Sequence, residues 1–412
     1  MSLAGWRGDA QPYEGMRCAH GPLSTIRART GQYGRVSGLT LGVLGTSSKE
    51  NEHRLPIHPH HIERIDADLR ARITLEEGYG VRFGVPDTHL AGLVREIRTR
   101  DEVIAGADVV LLPKPTLPDL EELRDRQVLW GWPHAVQDPE LTQIAIDKHL
   151  TLIAWEQMNH WTPAGDFMVH VFHLNNEMAG YCSVLHAMSL IGSTGHYGRH
   201  LRAAVLGFGN TARGAITALH GLGVHDVTAL TMRDVTAVAS PIPAVVMDHM
   251  HRVDDGIAVQ TEDGEIPVAQ FLAGFDIVVN CVMQDTDNPM MFVRDDQLPL
   301  FPMGHLIVDV SCDRGMGFEF ARPTSFENPM FVVGQGVQYY GVDHSPSYLW
   351  NSATWGISEA LLPFLRPVMD GPQAWEDDPS IRLAIEIQDG VVRNPKILSF
   401  QGRAGEHPHH RG

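Results

Sequence analysis

The segment Leu201–Asp234, LRAAVLGFGNTARGAITALHGLGVHDVTALTMRD, constrains the fold more than any other part of the chain. It predicts an apolar strand, a glycine turn, a helix and a second strand. Gly207 and Gly209 permit a tight turn and a close approach of backbone to a pyrophosphate, and Ala212 supplies the small third position where helix and strand pack. Asn210 and Thr211 open the helix, whose unpaired N–H groups would point at phosphate oxygens. A glycine turn alone recurs in ordinary loops. Its strand–turn–helix–strand setting is what points to a dinucleotide.

The end of the second strand bears on which dinucleotide. NAD sites usually place Asp or Glu there, against the ribose hydroxyls. Here Thr231, Met232 and Arg233 follow Val227–Leu230. A guanidinium pairs with a ribose 2′-phosphate that a carboxylate would repel. The pattern predicts NADP(H) over NAD(H), with Asp234 turned to solvent or to Arg233. The competing reading of Arg233 is a surface loop residue.

With 412 residues the chain is too long for one ordinary core and predicts two domains. A formal charge of -18 argues against a general nucleic-acid or anionic-membrane binder. Cys18, Cys182, Cys281 and Cys312 are widely spread and fit a reducing cytoplasm better than a disulfide scaffold. There is no apolar leader and no run long enough to span a bilayer. His407, His409 and His410 read as a disordered polar tail, and no metal site is expected.

Short apolar runs at Leu39–Leu44, Val109–Leu112, Val128–Trp130 and Leu150–Ala154 alternate with helical or turn segments, the rhythm of β/α repeats. A helix is expected over Ile62–Ala71, running on toward Glu76 and Glu77, with a short strand near Val81–Phe83. Further strands fit Ala244–Met247, Ile277–Val279, Leu306–Val310, Met330–Val333 and Val337–Tyr340. Helices are expected from about Asn176, over Ser352–Leu365 and through Ile381–Ile387. The resulting α/β plan has two Rossmann-like domains with parallel sheets and an active-site cleft between them. Residues 1–37 form an extension, 38–175 plus 314–400 a substrate domain, 176–313 the nicotinamide dinucleotide domain, and 401–412 a tail.

Several residues at strand ends could carry chemistry. Arg54, in KENEHRLPIHP, has the donor fork that suits a substrate carboxylate; Lys114, just past Val109–Leu112, could hold the same group or polarise a carbonyl oxygen. His134, in WGWPH, could move the proton that accompanies hydride transfer, with Trp130 and Trp132 excluding water. Asp313 follows the run Ile307–Val310 and could neutralise an ammonium. Asp309 reads as turn support. His344, in HSPS, could touch the nicotinamide end or the substrate, with Ser347 or Ser352 capping the next helix. The competing readings are a surface ion pair for Arg54, packing against indoles for His134 and a turn residue for His344.

With these anchors in order, the chain resembles the alanine dehydrogenase/transhydrogenase superfamily, and more closely its N5-(carboxyethyl)ornithine synthase branch. The resemblance runs from about Thr40 to Asp389 on KENEHRLPIHP, LLPKP, WEQM, HLNNEMAGYCSVLHAM, VLGFGNTARGA, VDVSCDRGMGFE and VDHSPSYLWNSATWGIS. It implies a substrate arginine at Arg54, a substrate lysine at Lys114, a catalytic histidine at His134 and an active-site aspartate at Asp313. His344 stands where alanine dehydrogenases carry an asparagine, and Val-Asp-His-x-Pro looks more like the opine-forming and saccharopine-related branches. The implied activity is NADPH-dependent condensation of a pyruvate-like 2-oxo acid with an amino acid or amine, giving a secondary amine. Simple reductive amination as in alanine dehydrogenase, or another NADP-linked imine reduction, is the alternative. The resemblance also implies a homo-oligomer.

Overall fold

The computed structural model describes residues 38–232, 242–254, 256–262 and 264–412. The expected extension 1–37 and Arg233 lie outside the described residues. Two sheets organise the rest.

The first sheet has eight strands in the order Val391–Val392, Ile385–Gln388, Thr151–Ala154, Val128–Gly131, Val109–Leu111, Leu41–Val43, Ile73–Glu76 and Glu96–Arg98. From Thr151–Ala154 to Glu96–Arg98 every pairing is parallel; the two strands from the chain's end add antiparallel to one edge. Alternate residues of its central strands enter two different cores. Val109 and Leu111 join Leu41, Val43 and Trp130, whereas Val110 and Leu112 join Leu129 and Leu152. Burial on both faces is why these strands read as continuous apolar runs. Each such side chain contributes roughly 1.5–3 kcal/mol relative to exposure.

The second sheet has nine strands, in the order Gly264–Pro267, Gly256–Thr261, Val245–Val253, Asp226–Thr231, Arg202–Leu206, Ile277–Asn280, Leu306–Asp309, Val337–Tyr340 and Met330–Val333. Its six inner strands are parallel and its edges antiparallel. Both sheets are therefore mixed, and both are flanked by helices, giving tandem Rossmann-like α/β domains. Met330–Val333 and Val337–Tyr340 extend the second sheet, so the chain does not return to the first domain at 314 as the sequence suggests.

Helix His173–Leu190 packs along helix Asn210–Gly221 with glycines at the crossing. A Cβ on Gly180 would lie 1.9 Å from Thr211 O, and one on Gly214 1.7 Å from Glu177 O. Only hydrogen fits at either point.

Four local expectations are corrected. Past Ala71 the chain forms strand Ile73–Glu76 in place of more helix, because the segment pairs in the first sheet. Val81–Phe83 is a single 3-10 turn between glycines, and Gly84 closes it at φ 74°. Helix Pro379–Arg382 stops early, and Ile385–Gln388 is a strand against Thr151–Ala154. The tail is packed: His409 is 1% exposed, and its Nε2 accepts the Val392 N–H at 3.1 Å.

Candidate functional site

The loop after Leu41–Val43 carries Lys49, Glu52 and Arg54, and it is pinned along its length. Gly45 and Thr46 donate backbone N–H groups to Glu76 Oε2 at 2.7 and 2.9 Å. Ser47 Oγ donates to the Lys114 carbonyl at 2.7 Å, and Leu55 N–H to Thr354 Oγ at 2.9 Å. From the other domain Ser347 accepts the His53 N–H at 3.0 Å and donates to Asn51 O at 2.6 Å.

Arg54 is buried and paired with Glu52, Nε on Oε1 at 2.8 Å and Nη2 on Oε2 at 2.5 Å. Its Nη1 donates to Asn175 Oδ1 at 3.3 Å, and its guanidinium lies 5.3 Å from the Trp132 ring centroid. Burial pushes the Glu52 carboxyl up, but the charge and hydrogen bonds of Arg54 outweigh it and hold Glu52 below its ordinary range. Three of the five guanidinium N–H groups are thus engaged.

Lys114 follows strand Val109–Leu111, with its side chain 12% exposed. Asp343, just beyond strand Val337–Tyr340 of the second sheet, reaches across. Its Oδ2 is 3.9 Å from Lys114 Nζ and 2.9 Å from Lys49 Nζ. Burial lowers the Lys114 amine from its ordinary value, and Asp343 offsets part of that. Burial would raise Asp343, yet Lys114, the His344 bond and Lys49 together hold it well below the usual carboxylate range. His344 orients the carboxylate through Nδ1 on Oδ1 at 2.8 Å, while its Nε2 meets Glu50 O at 2.6 Å. That placement makes His344 a strut behind Asp343, joining two domains.

His134 lies beyond the end of strand Val128–Gly131 in a left-handed conformation, φ 50°, with its backbone N–H donated to Glu156 Oε1 at 2.7 Å. Burial and then the charge of Lys114 push its imidazole down to about 3, so it is neutral across the physiological range. Trp132 packs edge-on against Trp155 and Phe172, with centroids at 4.7 and 5.2 Å. Asp313, past strand Leu306–Asp309, is half-buried; burial raises its carboxyl and Lys114 pulls it back. Lys114 and His134 from one sheet therefore share an electrostatic neighbourhood with Asp313 and Asp343 from the other. Asp309 stands apart, fully buried between Asn280 Nδ2 at 2.9 Å and the Tyr339 hydroxyl at 2.8 Å.

On the dinucleotide side, Gly207 has φ 94°, where a side chain would be strained. A Cβ on Gly209 would meet nothing within 4 Å, so this backbone lies open. Asn210 and Thr211 begin helix Asn210–Gly221, whose first turn holds no acidic residue, and Ala212 is buried. Thr231 is the buried last residue of strand Asp226–Thr231. The open turn and the uncapped, acid-free helix start fit a dinucleotide pyrophosphate.

Sequence reasoning passed over Lys49, Glu52, Glu156 and Asp343 as site members, although all four stand inside motifs quoted above. Lys49 and Glu52 both precede Arg54 in the same motif, and Asp343 precedes His344. A charged residue next to a suspected ligand was the available signal.

The alanine dehydrogenase/PNT N-terminal domain model matches residues 44–169 and the C-terminal domain model residues 181–395. An N(5)-(carboxyethyl)ornithine synthase of Clostridium botulinum is 24% identical, over 76% of this chain and 89% of that one. Alanine dehydrogenases of Mycobacterium tuberculosis and Methanococcus maripaludis are 22% and 25% identical, over 87% and 84% of this chain and 95% and 92% of theirs. An L-alanine dehydrogenase structure shares the fold with a TM-score of 0.68 at 20% identity, covering 88% of this chain and 98% of that one. A transhydrogenase from Sinorhizobium meliloti does so with 0.62 at 20%, covering 86% and 99%. Two domain models matched in order, on the sheets that carry the pinned loop and the glycine turn, place the chain in the alanine dehydrogenase/PNT family, a family of NAD(P)-dependent oxidoreductases that work on CH–NH bonds.

Proposed function

We infer that this protein reduces the carbon–nitrogen double bond formed between a small 2-oxo acid and a nitrogen donor, and runs the reverse reaction. The meeting of Lys114 and His134 with Asp313 and Asp343 carries the reading. A bound nicotinamide dinucleotide would supply or accept the hydride.

Arg54 and Lys114 bind the 2-oxo acid, the guanidinium fork on the carboxylate and the ammonium toward the C2 oxygen. Neutral His134 takes a proton as the nitrogen adds to C2, then returns it to the departing hydroxyl, which leaves as water. Asp313 orients the nitrogen and stabilises the iminium charge. Overall, 2-oxo acid, protonated amine, reduced dinucleotide and one proton give the amino acid, water and oxidised dinucleotide.

Ammonia is the donor best supported, since the alanine dehydrogenases match the chain over its greater length. An amino acid or amine, giving a secondary amine, is favoured by one observation: His344 as the strut on Asp343, in a Val-Asp-His-x-Pro segment. NADP(H) is preferred in this reading because Thr228–Met232 carries no carboxylate and Arg233 follows. A homo-oligomer in the cytoplasm belongs to the same reading.

Mass analysis of products decides the matter. The protein is incubated with pyruvate, NADPH or NADH, and either ammonia or ornithine or lysine. Consumption of reduced dinucleotide that needs both 2-oxo acid and nitrogen donor is expected, as is its loss in His134→Ala. A primary amino acid identifies ammonia, and an organic-amine adduct identifies the second reading. Oxidation without any nitrogen donor overturns both.

A further inference from the structure

Two glutamates beside His134 have no part in the steps above. Glu156 follows strand Thr151–Ala154, and Glu386 lies in the antiparallel edge strand Ile385–Gln388. Ile385 pairs with Ile153, and Gln157, the residue after Glu156, hydrogen-bonds the Glu386 carboxyl and lines the same cavity, which brings the two carboxyls into one neighbourhood. Glu156 Oε1 accepts the His134 N–H at 2.7 Å, and Glu386 Oε1 accepts Asn394 Nδ2 at 2.8 Å. Each Oε2 is shielded from water and, among the described residues, has no hydrogen-bond partner. The nearby cations are committed elsewhere: Lys114 to Asp343 at 3.9 Å, and Arg393 to Gln388 Oε1 at 3.0 Å. Two shielded carboxyls with no cation between them do not both ionise.

We propose that Glu156 and Glu386 hold one proton between them, and that Glu386 is a positioning residue which keeps Glu156 neutral and so tunes the proton affinity of Lys114. Burial, and then the like charge of Glu386, raises Glu156 well above its ordinary range; burial lifts Glu386 to about 7 against the bonds from Asn394 and Gln157. Glu156 faces Lys114 and His134, and its carbonyl meets His170 Nε2 at 3.3 Å. Glu386 lines a cavity of about 420 Å³ with Gln157, Arg382, Arg393 and Glu376. An ionised Glu156 would hold the Lys114 ammonium more firmly. Keeping Glu156 neutral leaves that ammonium easier to discharge.

The inference rests on Lys114 and His134 acting as proposed above, and its test has one arm that does not. Glu386→Gln keeps the acceptor for Asn394 and removes the competing carboxyl, which lowers the proton affinity of Glu156. The limb of the kcat/KM profile that reports loss of the Lys114 proton is expected to move to higher pH, by less than the shift that Asp343 produces. In Glu156→Gln, which mimics the neutral form, that limb stays in place whatever the rate. A Glu386→Gln profile that superimposes on wild type, or a Glu156→Gln limb that falls, overturns the proposal. The second arm is urea unfolding below and above neutrality. Wild type retains protons that the unfolded chain has lost, so its stability falls as pH rises through this range. Glu386→Gln is expected to flatten that fall, and an equal fall in both proteins overturns the proposal even where no substrate has been found.

Discussion

Replacing Asp343 by Asn tests whether the second sheet sets the charge on a lysine of the first. Asp343 Oδ2 lies 3.9 Å from Lys114 Nζ, with side chains 24% and 12% exposed. At an effective dielectric constant of about 20, unit charges at that separation attract by about 4 kcal/mol, the equivalent of roughly three pKa units. Asp343 also serves Lys49 at 2.9 Å and is partly hydrated, so a realised shift of about one to two units is expected. The sign is fixed. Lys114 is already lowered by burial, Asp343 is the first charge opposing that, and its removal lowers the amine further. In Asp343→Asn the alkaline limb of the rate profile should therefore move toward neutrality. Lys49→Met should move it the opposite way, because Lys49 repels the Lys114 charge. The assay is the initial rate of reduced-dinucleotide oxidation with 2-oxo acid and saturating nitrogen donor, across neutral and alkaline pH. Two limbs that shift in the same direction, or neither shifting, would refute the reasoning.

Gly180→Ala forces helix His173–Leu190 away from helix Asn210–Gly221, since its Cβ would start 1.9 Å from Thr211 O. It should lower thermal stability by about 1–3 kcal/mol and cut kcat by up to about 100-fold, because the first helix also carries the Arg54 partner Asn175. Asp309→Asn should flatten part of the pH dependence of stability: burial raises Asp309 to about 7, so its folded-state proton stabilises in mild acid and that contribution is lost as pH rises to 7. Denaturant midpoints in mild acid and mild base check this. His409→Ala removes the acceptor for the Val392 N–H and should cost about 1–2 kcal/mol, seen as faster tryptic cleavage at Arg403.

What the sequence made legible was local. The turn at Gly207 and the strands Val109–Leu111 and Leu306–Asp309 are written in glycine position and in runs buried on both faces. Val81–Phe83 misleads because Val-Arg-Phe alternates as a strand does but is too short to fix a period, and the glycines at 80 and 84 decide for a turn. The antiparallel strands Gly256–Thr261 and Gly264–Pro267 were passed over despite Asp263-Gly264, a pair that favours hairpins. Ile385–Gln388 reads as helix until its partner Thr151–Ala154, far away in sequence, is known. Pairing across that distance leaves no trace in a single sequence.

The site shows the same division in terms of charge. Residue types at strand ends nominated Arg54, Lys114, His134 and Asp313, but not the company each keeps. Glu52 takes part of the Arg54 fork, Asp343 spans two lysines, and His344 braces Asp343. Lys49, Arg54 and Lys114 bring three positive charges against two carboxyls held ionised, Glu52 and Asp343. The carboxyls of Asp313 and Glu156 are pushed toward their neutral forms. This gathering of cations beside a neutral imidazole suits a substrate bearing a carboxylate next to an electrophilic carbon.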